Sequence, residues 1–302
     1  MQPKSCSDIA TWIDELADSI RRESPGLLRL FHVFAQEARF AREWLSSSLA
    51  ELKPGDSIME VGGGLMILGC QLVREGFAVT VIEPISPGFS SFSILQKIVI
   101  DCAASRGIAP KIVALPIEEL KLERGFDFAF SVNVMEHIQD VERGIDSVHA
   151  ALKPGARYRF TCPNYLFPYE PHFNMPTLFS KRWTESIFHK SILASTRVEE
   201  PAPLWTSLNW ITTSKIVRSC RKFKDVQLHF NCGMLSESLE RMTTDPEFAS
   251  RRPGWLQYIA RSIVYLKLNQ LTRHLPAALL PVIDCTMTRI PVDPSPAPAL
   301  PR

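Results

Sequence analysis

The chain lacks a large excess of charge of either sign: 34 Lys and Arg stand against 32 Asp and Glu in 302 residues. Proteins that hold nucleic acid mainly through its phosphates carry a strongly basic face, so there is no strong nucleic-acid signal here. Paired cysteines are also missing. Seven cysteines (Cys6, Cys70, Cys102, Cys162, Cys220, Cys232 and Cys285) are spread without a CxxC pair. That spacing suggests neither a disulfide framework nor a zinc site, and it reads as buried thiols in a reducing compartment. No apolar run is long and clean enough to span a bilayer, because Trp255 to Leu280 is broken by Arg261, Lys267, Arg273 and Pro276. Asp8, Asp14 and Glu15 interrupt the opening helix pattern where a secretion signal would be apolar. These absences lead to the expectation of a cytoplasmic protein without a transmembrane segment. Ordinary proportions, 45% hydrophobic and 22% charged, exclude a disordered or fibrous chain.

Tryptophan is absent from the window Gly55 to Gly155, which holds eleven of the 14 glycines. Twelve of the 23 prolines lie instead in Pro163 to Pro203 and Pro281 to Pro301. A glycine-turned core followed by proline- and tryptophan-rich additions is the organisation this implies. Inside the window, short apolar runs alternate with helical patterns. Runs at Ser57–Val61, Ala78–Ile82, Lys111–Leu115, Phe126–Ser131 and Arg157–Cys162 read as strands. Met66–Arg74, Phe92–Ser105 and Val141–Leu152 read as helices between them. That alternation predicts an α/β fold, a doubly wound, mostly parallel sheet covered on both faces, with ligands outside the carboxyl ends of the strands.

Five segments follow. Residues 1–53 form a helical N-terminal extension, with helices to about Arg22 and from about Leu27 to Leu52. Residues 54–164 are the core. Residues 165–211 are an aromatic and Pro-rich cap insertion. Residues 212–290 return to the core, with a helix at 212–222, strands at 225–230 and 282–290, and a helical insertion between them. Residues 291–302 are a Pro-rich tail expected to be disordered.

The chemistry is concentrated in Glu60-Val61-Gly62-Gly63-Gly64. Glycines that open a helix let a ligand approach the backbone, and a carboxylate beside them can accept from a cationic amine. The next strand ends in Glu83, 21 residues beyond Gly62, where an acidic side chain can take both ribose hydroxyls of a nucleoside. A dinucleotide site would predict Gly-x-Gly-x-x-Gly, but its last position is Ile67. A phosphate loop would show basic residues, and no Lys or Arg lies between Ser57 and Gln71.

Beyond the glycines come Phe126-Asp127, then Asn133-Val134-Met135-Glu136-His137, then Leu152-Lys153-Pro154-Gly155, then Pro163-Asn164. This ordered set resembles the class I S-adenosylmethionine-dependent methyltransferases, particularly the small-molecule branch, over roughly residues 55–164. The resemblance implies a Rossmann-like methyltransferase fold with S-adenosyl-L-methionine as cofactor. It implies that Glu60, Gly62, Gly63 and Gly64 face the methionine part, Glu83 the ribose, Ile117 the adenine, and Asn133 the sulfonium region. Met66 stands where the family has its third glycine, and Pro116 where an acidic residue often precedes the adenine contact.

An oxygen acceptor usually needs a base, and His137, Tyr165, Glu170 and His172 lie near the strand ends. His172 and His137 are the candidate catalytic residues. His137 has the competing role of a structural histidine holding a helix start, which the sequence favours; His172 competes with a packed loop histidine. No spacing of His, Cys and carboxylates announces a metal site, so none is expected. The expected partner is a small-molecule acceptor, with a hydroxyl in a sugar, quinone or secondary metabolite as the favoured group. An RNA or protein methyltransferase, or a non-catalytic cofactor-binding partner subunit, are the alternatives. Trp255 to Leu280 reads as internal packing or a homodimer face, or alternatively as an interfacial helix in peripheral contact with a membrane.

Overall fold

The structure is a computed structural model that describes residues 7–84, 90–178, 180–198, 200–250, 252 and 254–291; the expected disordered tail beyond Pro291 lies outside them. The chain begins with three helices, α1 (Ser7–Glu23), α2 (Leu28–Trp44) and α3 (Ser46–Leu49). It then alternates through β1 (Ser57–Val61), α4 (Ile67–Arg74), β2 (Ala78–Ile82), α5 (Ser91–Ser105), β3 (Lys111–Val113), β4 (Phe126–Val132), α6 (Val141–Ala151) and β5 (Leu152–Pro163). A small hairpin, β6 (Tyr169–Glu170) and β7 (Met175–Pro176), precedes α7 (Lys181–Leu193), α8 (Pro201–Ser207), α9 (Thr213–Cys220) and β8 (Val226–Phe230). Three helices, α10 (Met234–Thr244), α11 (Pro246–Ser250) and α12 (Gly254–Tyr265), lead to β9 (Val282–Arg289). Seven strands form one sheet in the order β3-β2-β1-β4-β5-β9-β8, and β6-β7 stand apart. The doubly wound architecture expected from the sequence is present.

The chain divides into two compact units: Met1–Val132 with Arg143–Tyr158 and Thr288–Arg302, and Asn133–Glu142 with Arg159–Met287. In the first, β1 is flanked by parallel partners, Ile58 opposite Val79 of β2 and Phe128 of β4. Ile58, Met59 and Val61 are all buried, as a strand covered on both faces requires. The N-terminal helices belong to this unit. Ile9, Trp12, Ile13, Leu16 and Ile20 of α1 are buried, α1 packs against α2, α4 and α5, and Trp12 Nε1 donates to the Ile67 carbonyl at 3.2 Å. The single helix expected over 27–52 is divided: α2 ends at Trp44, Leu45 stands between with φ −78° and ψ −9°, and the serines form the short α3.

The second unit has its own core. Tyr165 stacks on Trp210 with ring centroids 4.3 Å apart, and Trp205 meets both Trp210 and Phe173 edge-on at 5.6 Å. The aromatics of the insertion therefore fold the insertion. Asn164 fixes its start: its backbone N–H donates to Pro281 O at 2.9 Å and its amide to Leu280 O at 2.8 Å. A buried pair, Arg159 with Asp284 at 2.9 Å, joins β5 to β9.

Candidate functional site

The glycine turn lies at the carboxyl end of β1. Gly62 and Gly64 have φ of +74° and +53°, a region where a Cβ is unfavourable. Gly63 is required for space, because a Cβ there would come within 2.3 Å of Val81 Cγ1. A Cβ on Gly64 would meet nothing within 4 Å, so this stretch of backbone is open to a ligand. Met66 caps the N-terminus of α4 with φ +66° and is fully buried. The chain still makes the left-handed turn that a glycine would make there, at a cost of about 1–2 kcal/mol.

Two carboxylates flank the turn. Glu83 Oε2 accepts the Gly64 N–H at 3.0 Å, and Gln96 Nε2 of α5 donates to the Gly64 carbonyl at 2.7 Å, so the loop is held from both sides. Burial raises the Glu83 pKa, while the amides of Gly64 and Gly63 pull it down. Glu60 is 5% exposed, and its Oε2 has no hydrogen-bond partner. That oxygen lies 2.6 Å from where a Cβ on Gly69 would stand, so glycine in the first turn of α4 makes room for it. Burial, then the charge of Glu83, push the Glu60 pKa well above the usual carboxylate range; the Gly69 amide opposes them. Two neighbouring, desolvated carboxylates with no basic residue in the turn suit a cation. The orphaned Glu60 oxygen, the open face at Gly64 and the anchored Glu83 thus fit a positively charged nucleoside such as S-adenosylmethionine. Ile117 is buried in a short 3-10 turn, Ile117–Glu119, that follows β3.

The remaining candidates lie in the second unit. Asn133 follows β4 directly, is exposed, and has φ +54°; its N–H donates to Thr161 O at 2.8 Å. His137 sits in the turn after it and does not start a helix. Its Nδ1 is 2.9 Å from Ser207 Oγ. Burial, then the nearby His172, lower its pKa to about 4, against an opposing effect of Glu170, so the ring is neutral at physiological pH. The His137 and His172 rings meet edge-on with centroids 5.6 Å apart. His172 Nδ1 is 2.6 Å from Glu170 Oε1, and Glu170 also accepts from Phe173 N at 2.6 Å and Tyr165 Oη at 3.2 Å.

Both sequence-derived histidines are thus brought together, and Glu136 joins them. One ligand atom from each of Glu136, His137 and His172 lies within 4.8 Å of the others, a set able to hold a divalent metal. This departs from the expectation that no such cluster exists. Glu136 and His137 are adjacent, but His172 arrives through the fold of the insertion, which no spacing rule reports. Gln96, Ser207 and Asn209 were missed as well. Asn209 Nδ2 donates to Met135 O at 2.7 Å and Ile138 O at 2.6 Å, which fixes the turn carrying His137. Only the position of Asn209 in a Trp- and Pro-rich stretch hinted at such work.

Residues 33–206 match the methyltransferase-domain family. The uncharacterized protein Rv1509 of Mycobacterium tuberculosis (strain ATCC 25618 / H37Rv) is 47% identical over 255 residues, 84% of this chain and 86% of that protein. The ubiquinone biosynthesis O-methyltransferase of Rickettsia conorii is 26% identical over 126 residues, 42% of this chain and 39% of that enzyme. Among solved structures, an S-adenosylmethionine dependent methyltransferase from Mesorhizobium loti has a TM-score of 0.48 at 15% identity, covering 80% of this chain and 94% of that one. The family match runs from within α2 into α8, more than half of the chain, so the protein belongs to the methyltransferase-domain family and is an S-adenosylmethionine-dependent methyltransferase.

Proposed function

We propose that the enzyme methylates a hydroxyl oxygen of a small cytoplasmic molecule of the sugar, quinone or secondary-metabolite kind, with His172 as general base. The pairing of His172 with Glu170 carries this reading. A hydroxyl must lose its proton as the oxygen attacks, and an imidazole held by a carboxylate is the usual means. Nδ1–H donated to Glu170 leaves Nε2 as the basic nitrogen. Glu170 is itself buried and accepts from Tyr165 and Phe173 as well, so its position, and with it the ring's orientation, is fixed.

The cofactor supplies an electrophilic methyl group on a sulfonium. The chain supplies the acidic turn that favours that charge, with Glu60 and Glu83, and the backbone opening at Gly64. Placement then does much of the work, because an in-line displacement gains several powers of ten from positioning alone. A match to a protein named as an O-methyltransferase agrees with an oxygen acceptor.

The Glu136, His137 and His172 cluster favours a second reading of the same reaction, in which a divalent metal at these residues helps to ionise the acceptor hydroxyl. Incubation of the enzyme with isotopically methyl-labelled cofactor and fractionated small-molecule extract tests the function. Label should appear by mass spectrometry on a hydroxyl of a small metabolite. Label found only on RNA or protein, or binding of cofactor without transfer to any fraction, would overturn the proposal.

A further inference from the structure

The helical segment after α11 has two faces with opposite fates. Ala260, Ile263 and Val264 of α12 pack with Leu239 and Met242 of α10 and with Phe248. Internal packing therefore accounts for one face. On the other, Trp255 is 66% exposed, Tyr258 74% and Tyr265 87%, and Leu266 and Leu271 are each 62% exposed. Trp255, Tyr258, Ile259 and Leu266 recur at helical spacing, so they form a stripe. Lys267, at φ +57°, then turns the chain into the 3-10 segment Leu268–His274, which packs against α10 and α12 and adds exposed Leu268, Leu271 and Leu275. Single exposed apolar residues are normal, but a continuous patch of this kind is built to meet something.

The charge around the patch selects what it meets. No Asp or Glu occurs from Phe248 to Ile283, while Arg261, Lys267 and Arg273 are exposed among the apolar residues; Glu240 of α10 lies against the segment, where its Oε1 accepts from Asn269 and Gln270. A cavity of about 350 Å³ lined by Arg218 and Arg221 also borders Ala277 and Ala278, immediately downstream. A second copy of the chain meeting this patch about a two-fold axis would bring two copies of the same basic cluster into one interface, with no Asp or Glu from this segment to offset them. An anionic surface has no such penalty. Trp and Tyr, with an apolar body and a polar edge, suit the level of lipid headgroups. Among the described residues no helix is long and apolar enough to cross a membrane, which leaves binding in the plane of the interface as the available mode.

We propose that the outer face of α12 and the following segment to Leu279 is a peripheral docking surface for an anionic lipid bilayer. Apolar side chains enter the headgroup boundary, and Arg261, Lys267 and Arg273 stay at the charged surface, where each contributes roughly fivefold to partitioning. The proposal stands independently of the acceptor and of the base.

Vesicle flotation of the full chain tests it, with phosphatidylcholine vesicles compared with vesicles of seven parts phosphatidylcholine to three parts phosphatidylglycerol. The wild type should float with the anionic vesicles and remain largely below the neutral ones, with binding weakened at high salt. R261E/K267E/R273E should lose at least tenfold of the anionic binding, as should W255S/Y258S/L271S. Both variants should bind S-adenosylhomocysteine as the wild type does, which shows that they fold. Wild-type protein that stays with the soluble fraction would overturn the proposal. So would binding that neither variant reduces, or a concentration-dependent dimer in sedimentation velocity that the same substitutions dissociate without affecting flotation.

Discussion

Glu170 Oε1 lies 2.6 Å from His172 Nδ1, and the Glu170 side chain is entirely buried while a quarter of His172 is exposed. A buried carboxylate thus holds an imidazole that is itself partly exposed. The arrangement separates orientation from chemistry, and the two substitutions should separate accordingly. H172A should lower kcat by 10²-fold or more, the usual contribution of a general base. E170Q should lower it less, since the amide still holds the ring but no longer stabilises its charged form. Both should leave S-adenosylhomocysteine affinity within about twofold of wild type, measured by calorimetry. Unchanged turnover in H172A would remove it as the base.

The base and metal readings predict different responses to chelation. Enzyme dialysed against a strong chelator should retain its turnover if His172 works alone. If Glu136, His137 and His172 hold a cation, turnover should fall and return with added divalent metal, and elemental analysis of purified enzyme should find close to one ion per chain. H137A discriminates further: it should weaken metal binding by 10-fold or more in the second case and change turnover only modestly in the first.

The glycine turn was legible because its physics is local. A carboxylate, three glycines and a second carboxylate at the next strand end declare a turn and a cation-loving rim without knowledge of the rest of the fold. The alternating strands and helices were legible for the same reason. The meeting of His137 with His172 was not, since it depends on how an aromatic insertion folds around Tyr165, Trp205 and Trp210. Nor could periodicity decide α12: its stripe is the same whether it faces a core or solvent, and only the burial of Ala260 beside the exposure of Trp255 tells the two faces apart.

Glu83 ties the loop to the rim of the site, so its removal should act on cofactor binding and little on global stability. E83A should weaken S-adenosylmethionine and S-adenosylhomocysteine by about 10- to 100-fold, the range for charge-assisted hydrogen bonds, with no loss of the folded state by circular dichroism. Equal affinity in E83A would show that the ribose is bound elsewhere.

Met66 offers a test in which two effects oppose. M66G would remove a left-handed strain worth about 1–2 kcal/mol, but it would also empty the space of a fully buried side chain, worth about 2–5 kcal/mol. The cavity should win. We expect M66G to lower stability by about 1–3 kcal/mol in urea unfolding, despite restoring the glycine of the family's motif. A more stable variant would mean that strain at Met66 dominates.

Glu60 should make the unliganded protein sensitive to pH in an unusual direction. Its pKa in the folded state is raised by burial and by Glu83, so between the unfolded and folded values the native state holds more protons than the unfolded one. Stability from this group is therefore fully present below its ordinary carboxylate pKa, and is lost as pH rises through the raised value. Wherever Glu60 is ionised, the ligand-free fold carries that loss, which a cationic ligand offsets. E60Q keeps the shape and cannot ionise, so the melting temperature of the ligand-free variant should gain on the wild type as pH rises above the ordinary carboxylate range. It should also flatten the fall in stability with rising pH. S-adenosylmethionine, which carries the compensating charge, should then stabilise E60Q less than it stabilises the wild type. A difference in melting temperature between ligand-free E60Q and the wild type that stays constant as pH rises would show that a negative charge on Glu60 is no burden to the fold.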